Sequence, residues 1–158
     1  MRWSGRMSRR GKAVKNILLY IWQLPQHLLA LVLIWALGAT ETLQPQAGVV
    51  FWLYKPKNRF GEFISGVSLG NYIILKTANE TVVKHENGHS VQSAIFGPLY
   101  LLLVGLPSAF NNLWDRIFHK RWPAEKRLKW YYSRWPEKQA DRLGGVERIW
   151  EGKDAGKN

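Results

Sequence analysis

The chain has 158 residues, carries 23 Lys and Arg against 11 Asp and Glu for a net charge of +12, and contains no cysteine. That length fits one domain with a modest core, and the charge argues against an ordinary neutral cytosolic enzyme. Without thiols, a disulfide framework, a cysteine zinc finger and thiol catalysis are excluded, so any metal must be held by His, Asp or Glu.

Charge is unevenly placed along the chain. No Lys or Arg lies between Lys15 and Lys55, and no charged residue of either sign lies between Glu86 and Asp115. Residues 1–15 form a basic flank containing Arg2, Arg6, Arg9, Arg10, Lys12 and Lys15. Residues 16–37, NILLYIWQLPQHLLALVLIWAL, follow as an apolar run close to the roughly 20 residues that a helix needs to cross the hydrocarbon layer. The positive charges before it match a cytoplasmic flank, so the run reads as a membrane segment. A cleaved signal peptide fits less well, because the apolar core exceeds about 15 residues and no small-x-small site follows it before Thr42. Pro25 either kinks the helix or turns the segment back as a re-entrant hairpin.

Beyond a polar joint at 38–46 the period changes. Residues 49–54, 62–69 and 72–75 are rich in β-branched and aromatic side chains, with breaks at 55–61 and at Gly70-Asn71, which predicts a small antiparallel sheet. From Thr77 the pattern turns helical, with Thr77 and Glu80 as a capping box and Gly97-Pro98 as the stop after Phe96. The apolar residues 98–114 are interrupted by Gly105 and Pro107, and a full span, a re-entrant or interfacial helix pair and a buried core helix are all open readings. Over residues 115–134 basic side chains interleave with Trp122, Trp130, Tyr131 and Tyr132, a mixture suited to a membrane interface. Residues 146–158 form a polar tail in which no site is expected.

His85, Glu86, Asn87, Gly88 and His89 spell H-E-x-x-H. Histidines at i and i+4 share one helical face, so both imidazoles reach one zinc ion, while the Glu beside the first faces the water that the metal activates. Random ordering of this composition gives the motif on the order of 0.005 times per chain, which weighs against two unrelated histidines on a solvated helix. A catalytic zinc takes a third protein ligand and keeps a fourth position open. The candidate is Glu137, within WPEKQADRLG at 135–144. Pro136 suits a first helical turn, which puts Asp141 one turn beyond Glu137 on the same face. Glu137 is then a ligand, and Asp141 an outer acceptor that fixes the tautomer of His85 or His89. Read alone, the segment is an exposed amphipathic helix with ordinary carboxylates; pairing with the upstream histidines reverses that preference.

H-E-x-x-H followed by E-x-x-x-D resembles the gluzincin metallopeptidases, and E-x-x-A-D-R-L-G is similar to the motif of the membrane-bound CAAX prenyl-protein endopeptidases and their bacterial heat-shock relatives. The resemblance implies zinc held by His85, His89 and Glu137, Glu86 as general base, and an extended strand, here within residues 66–75, that pairs with substrate. It runs from the sheet to Gly145, in a chain much shorter than those enzymes and without their larger membrane portion, and the identity of the substrate does not carry over. The expected architecture is α+β: a small antiparallel sheet packed on the H-E-x-x-H helix and on a second ligand helix, with apolar membrane-associated helices. Residues 47–145, including 98–114, form a minimal zinc metallopeptidase-like domain in this reading.

The expected function is a membrane-associated, zinc-dependent metallopeptidase in which Glu86 takes a proton from the activated water and returns it to the leaving amine. Tyr131, Tyr132, His119 and Arg134 are the candidate donors to the oxyanion. A peptide or membrane-protein substrate is expected to lie along the free sheet edge as an added strand. Glu137 and the two histidines must share one side of the bilayer, so residues 96–115 cross it an even number of times. Basic residues at both ends favour a site at the cytoplasmic face of an integral membrane protein, whereas a single crossing at 16–37 puts the site outside. Two other functions compete. A catalytically silent zinc-binding membrane protein, of a regulator or immunity type, needs a fourth protein ligand, for which His27 and His119 are the candidates. A basic nucleic-acid-binding protein is disfavoured, since the aromatics flank apolar runs instead of forming an RNA-binding motif.

Overall fold

A computed structural model describes residues 9–41 and 48–150; Arg2 and Arg6 of the basic flank, most of the polar joint and the tail beyond 150 lie outside the described residues. The chain is mixed α and β. Its elements are α1 (Arg9–Trp22), α2 (Leu24–Leu37), β1 (Thr40–Glu41), β2 (Val50–Leu53), α3 (Arg59–Phe63), β3 (Gly66–Leu69), β4 (Tyr72–Leu75) and α4 (Glu80–Phe96). A 3₁₀ turn (Gly97–Leu99) and a π turn (Leu101–Gly105) then lead into α5 (Leu106–Phe118), α6 (Ala124–Tyr132) and α7 (Glu137–Gly144).

The strands form one sheet in the order β1-β2-β4-β3. It is mixed, which corrects the antiparallel expectation: β4 runs antiparallel to β3 (Gly66↔Leu75, Leu69↔Tyr72) but parallel to β2 (Val50↔Tyr72, Leu53↔Leu75). The cause lies in residues 62–69, which do not form one strand. Asn58 caps a short helix there, its Oδ1 accepting from the Gly61 amide at 2.8 Å, and α3 consumes residues as far as Phe63. With α3 and β3 between them, β2 and β4 have enough connecting chain for parallel pairing, and the tight β3–β4 hairpin brings β4 into the sheet centre. Tyr72, Ile73, Ile74 and Leu75 are apolar at every position, as a strand covered on both faces requires, and the last three are fully buried. Ile74 packs with Leu37 of α2 on one face, while Ile73 and Leu75 pack with Val82 and Val83 of α4 on the other.

Two further boundaries differ from the sequence reading, and a bend agrees with the one expected near Pro25. The cap of α4 is Asn79, whose Oδ1 accepts from the Val82 amide at 2.8 Å, so the helix starts after Thr77 and the proposed capping box does not form; Gly88 passes without interrupting it. Residues 98–114 are not split at Gly105 or Pro107, because the π turn runs straight into α5 and Pro107 falls in the first turn, where a missing amide is harmless. Within 16–37 the chain bends by 69° between Lys15–Trp22 and Leu24–Leu37. No single helix among the described residues is long and apolar enough to cross a membrane; this bent pair passes by length and composition only when its halves are counted together.

Candidate metal centre

The centre is made where α4 crosses α7. A Cβ on Gly88 would collide with the Ala140 carbonyl, and one on Gly144 with the Lys84 carbonyl, so the two backbones touch without intervening side chains. Glycine inside a helix costs roughly 1 kcal/mol against alanine, and here it admits that approach. Glu137, in the first turn of α7, is thereby carried to the histidines of α4. His85 Nε2 lies 3.0 Å and His89 Nε2 3.3 Å from the same oxygen, Glu137 Oε2. All three side chains are buried, and their ligand atoms lie within 4.8 Å of one another. Donor atoms about 2.0–2.1 Å from a tetrahedral ion sit about 3.3–3.4 Å apart, so this group can hold a metal ion with little rearrangement. Two buried oxygens in the same place, Glu137 Oε1 and Glu86 Oε2, have no hydrogen-bond partner.

The outward nitrogens of both rings are engaged, which turns each Nε2 toward the centre. His85 Nδ1 faces Asp141 Oδ1 at 2.7 Å. Arg148 in turn holds Asp141 by two bonds, at 2.6 and 2.9 Å, with its guanidinium 3.2 Å above the Tyr132 ring. His89 Nδ1 faces Gln92 Oε1 at 2.7 Å. Gln92 Nε2 donates to the Pro136 carbonyl at 3.1 Å and to Gln139 Oε1 at 2.8 Å, which fixes the orientation of its amide. Gln92 Oε1 can only accept, so His89 Nδ1 carries a proton, and Nε2 is the nitrogen whose lone pair faces the centre once the ring is neutral.

Electrostatics follow from this packing. Burial works against a charge on His85, but its bonds to Asp141 and Glu137 outweigh burial and raise its pKa to about 9. His89 is raised for the same balance of reasons, with Glu137 as its partner. Burial would push Glu137 up, yet the two imidazoles hold it well below the usual carboxylate range. Glu86, which burial raises and the nearby histidines only partly pull back, stays above that range.

A cleft of about 600 Å³ opens beside the centre, between β3 and the inner face of α5, and Glu86, Tyr131 and Tyr132 line it. β3 approaches Glu86 so closely that a Cβ on Gly66 would stand 2.6 Å from Glu86 Oε1. Tyr131 reaches Ser108 Oγ at 3.3 Å; burial, reinforced by the charge of Glu137, pushes its phenol well above the ordinary value. His119 and Arg134 do not line the cleft. His119 stacks on Trp122 at 3.8 Å and faces Asp115 at 3.4 Å, and Arg134 sits over Trp130 at 4.3 Å. His27 stacks on Tyr20 at 4.1 Å and accepts from the Asn71 amide. Neither His27 nor His119 joins the metal-ligating group.

Sequence reasoning missed Gln92, Arg148 and the glycines. Arg148 falls within residues 146–158, where no site was expected, which is a correction: its guanidinium closes the outer side of Asp141. Gln92 carried a weak signal, being three residues beyond His89 on the same helical face. Gly88 carried a stronger one, a glycine kept inside a helix. The sequence matches no protein-family model, no curated protein and no solved structure.

Proposed function

We propose that the chain is a membrane-associated, zinc-dependent metallopeptidase, similar in its site to the gluzincins of the CAAX prenyl endopeptidase and heat-shock protease group, acting on a peptide or membrane-protein segment at the bilayer surface. Glu86 carries the reading. A buried carboxylate with an unpartnered oxygen, beside two imidazoles and a second carboxylate and lining a cleft, is the arrangement of a base set to act on water. A structural zinc site is closed by a fourth protein ligand, whereas the group found among the described residues has three members.

Two imidazoles and one carboxylate suit zinc, which when bound acidifies water and polarises a carbonyl. Glu86 accepts the proton of the attacking water and hands it to the leaving amine; burial raises its pKa and so assists the second step. Tyr131, kept protonated by burial, donates to the developing oxyanion. Substrate lies along β3, an edge strand of the sheet. Alternation in the β3–β4 ladder turns the backbone groups of Gly66 and Ser68 to the free edge. The Tyr100 hydroxyl takes the Ser68 carbonyl there at 2.7 Å, so the Gly66 groups are the ones offered to a peptide.

Detergent-purified protein is expected to carry about one zinc per chain and to cleave a peptide library in a chelator-sensitive way. Glu86→Gln should retain the zinc and lose on the order of 10² to 10⁴ in rate. Cleavage by Glu86→Gln at the parent rate rejects the hydrolase and favours a silent zinc-binding protein.

A further inference from the structure

The helix pair α1–α2 turns its polar residues toward the protein and its apolar residues away. Gln23 Nε2 donates to Ser93 Oγ at 3.1 Å, Gln26 Nε2 to the Gly97 carbonyl, and His27 Nε2 accepts from the Asn71 amide at 3.2 Å. All three side chains are buried. Leu24, Leu28, Leu31, Val32 and Trp35 recur at three- and four-residue spacing, which places them on one stripe. That stripe is exposed, Leu28 and Val32 by 57% and Trp35 by 84%. Both ends of α2 are held on the same body: Gln23, just before its start, bonds to Ser93, and Leu37, at its end, packs with Tyr54 and Ile74. Its 14 residues measure about 21 Å at about 1.5 Å each, short of the ~30 Å hydrocarbon layer. Taken alone, α2 is too short to span that layer, and it is tied to the body along one side and at both ends.

A second stripe runs beside the first. Trp22 packs against Gly97, and Ala30 packs with Tyr100 and Val104, so α2 lies alongside the 3₁₀ and π turns that lead into α5. Leu99, Leu102, Leu106, Phe110, Leu113 and Ile117 are exposed there, Leu106 by 61%, while Ser108 and Asn112 on the opposite face of α5 line the cleft. No charged residue occurs in 16–37 or in 87–114. Basic side chains begin in the last turn of α5, at Arg116, and continue beyond it among aromatics, with Lys126 over Trp122 at 4.1 Å and Arg134 over Trp130 at 4.3 Å.

We propose that this double stripe is seated in one leaflet of an anionic bilayer. α1–α2 and α5 lie in the interface, residues 119–134 meet the headgroups, and no segment crosses to the far side. The proposal rests on the membrane half of the function proposed above and not on its hydrolase half. Apolar surface of this extent is not the scatter of single exposed residues that a water-facing protein shows. A lipid surface is favoured over a second copy because the basic rim suits anionic headgroups, whereas two copies face to face would bring like charges together.

The missing cysteines make single-cysteine reporters free of background. Protein diluted from detergent is added outside sealed phosphatidylcholine vesicles with and without phosphatidylglycerol, floated on a density gradient, and treated with an impermeant maleimide. It should float with both, in larger fraction with the anionic lipid at low salt. Lys15→Cys and Lys57→Cys, which flank the apolar run, should label alike from outside, and Leu28→Cys and Phe110→Cys only after detergent. Leu28→Glu with Leu106→Glu should lower the floated fraction by more than about tenfold, with helical circular dichroism unchanged. Protection of either flanking cysteine until the vesicles are lysed overturns the one-leaflet seating and leaves the membrane reading standing. Failure to float with either vesicle overturns both, and a dimer sized in that state assigns the surface to a second copy.

Discussion

The crossing of α4 with α7 and the outer faces of α2 and α5 invert the usual rule of burial in opposite ways. At the crossing, His85, Glu86, His89, Glu137 and Asp141 are buried, although an ionised group taken out of water costs several kcal/mol unless it is paired. On α2 and α5 a dense set of large apolar side chains is left uncovered. The buried groups pair with one another in a cluster that could hold a metal ion, while the exposed leucines form the surface proposed above to meet lipid. The contrast shows that burial here reports the surroundings a side chain is built for and not polarity alone.

The widest separation between the two regions is expected from single charge changes. Glu137→Ala removes a ligand and leaves two imidazoles without their buried anion, so zinc and activity should be lost together, and stability should fall by about 3–5 kcal/mol in metal-free protein. Leu28→Glu adds a charge to the outer stripe and should keep both zinc content and melting temperature. Metal analysis with thermal unfolding of both variants checks this, and equal losses would erase the contrast. Next in size are the atoms behind the ligands. Gln92→Ala and Asp141→Asn should each weaken metal affinity by roughly 10- to 100-fold, measured by chelator competition, with Glu86 and the cleft untouched.

Glycines provide a third comparison. Gly88→Ala must push α7 away through the Ala140 carbonyl, and should cost about 1–3 kcal/mol with weaker metal binding, because Glu137 moves with α7. Gly105→Ala meets nothing nearer than Leu101 Cδ2 at 3.8 Å and sits at the start of α5, so it should be neutral or stabilising by up to about 1 kcal/mol. Denaturant unfolding of the two variants separates them.

What could be read in the sequence and what could not divide along the same lines. The i, i+4 spacing of His85 and His89, and Pro136 before Glu137 with Asp141 one turn on, encode local geometry, because a helix converts spacing directly into direction. Gln92 and Arg148 were not legible as partners, since the contact of Gln92 with α7 depends on how the helices cross and the return of Arg148 to Asp141 depends on the left-handed turn at Gly145. Strand identity at 72–75 was legible from an unbroken apolar run, but its parallel pairing with β2 was not, because Asn58 turned residues 59–63 into α3 and changed the connection. The apolar run at 16–37 was plain by composition. Its bend was foreshadowed by Pro25, but the side of α2 that packs on the sheet follows from Gln23, Gln26 and His27, which read only as polar interruptions until their partners were in place.

The gentlest test uses pH. With the metal chelated, His85 titrates at about 9 in the folded chain against its ordinary 6.5. A histidine whose pKa is raised by folding lends stability that is complete below the unfolded value and is lost as pH climbs through the folded one. Chelated protein should therefore melt at progressively lower temperature between pH 6.5 and about 9. Zinc-loaded protein should stay nearly level over the same window, because above pH 6.5 His85 and His89 carry no extra proton either in the unfolded chain or when they hold an ion, so unfolding exchanges no proton on them. The two melting curves should diverge with pH, while the fraction floated on vesicles stays level, since Leu24, Leu28, Leu31, Val32 and Trp35 carry no titrating group. Parallel slopes with and without zinc would mean that the ion does not compete with the protons on His85 and His89, and the ligand assignment would fall with that result.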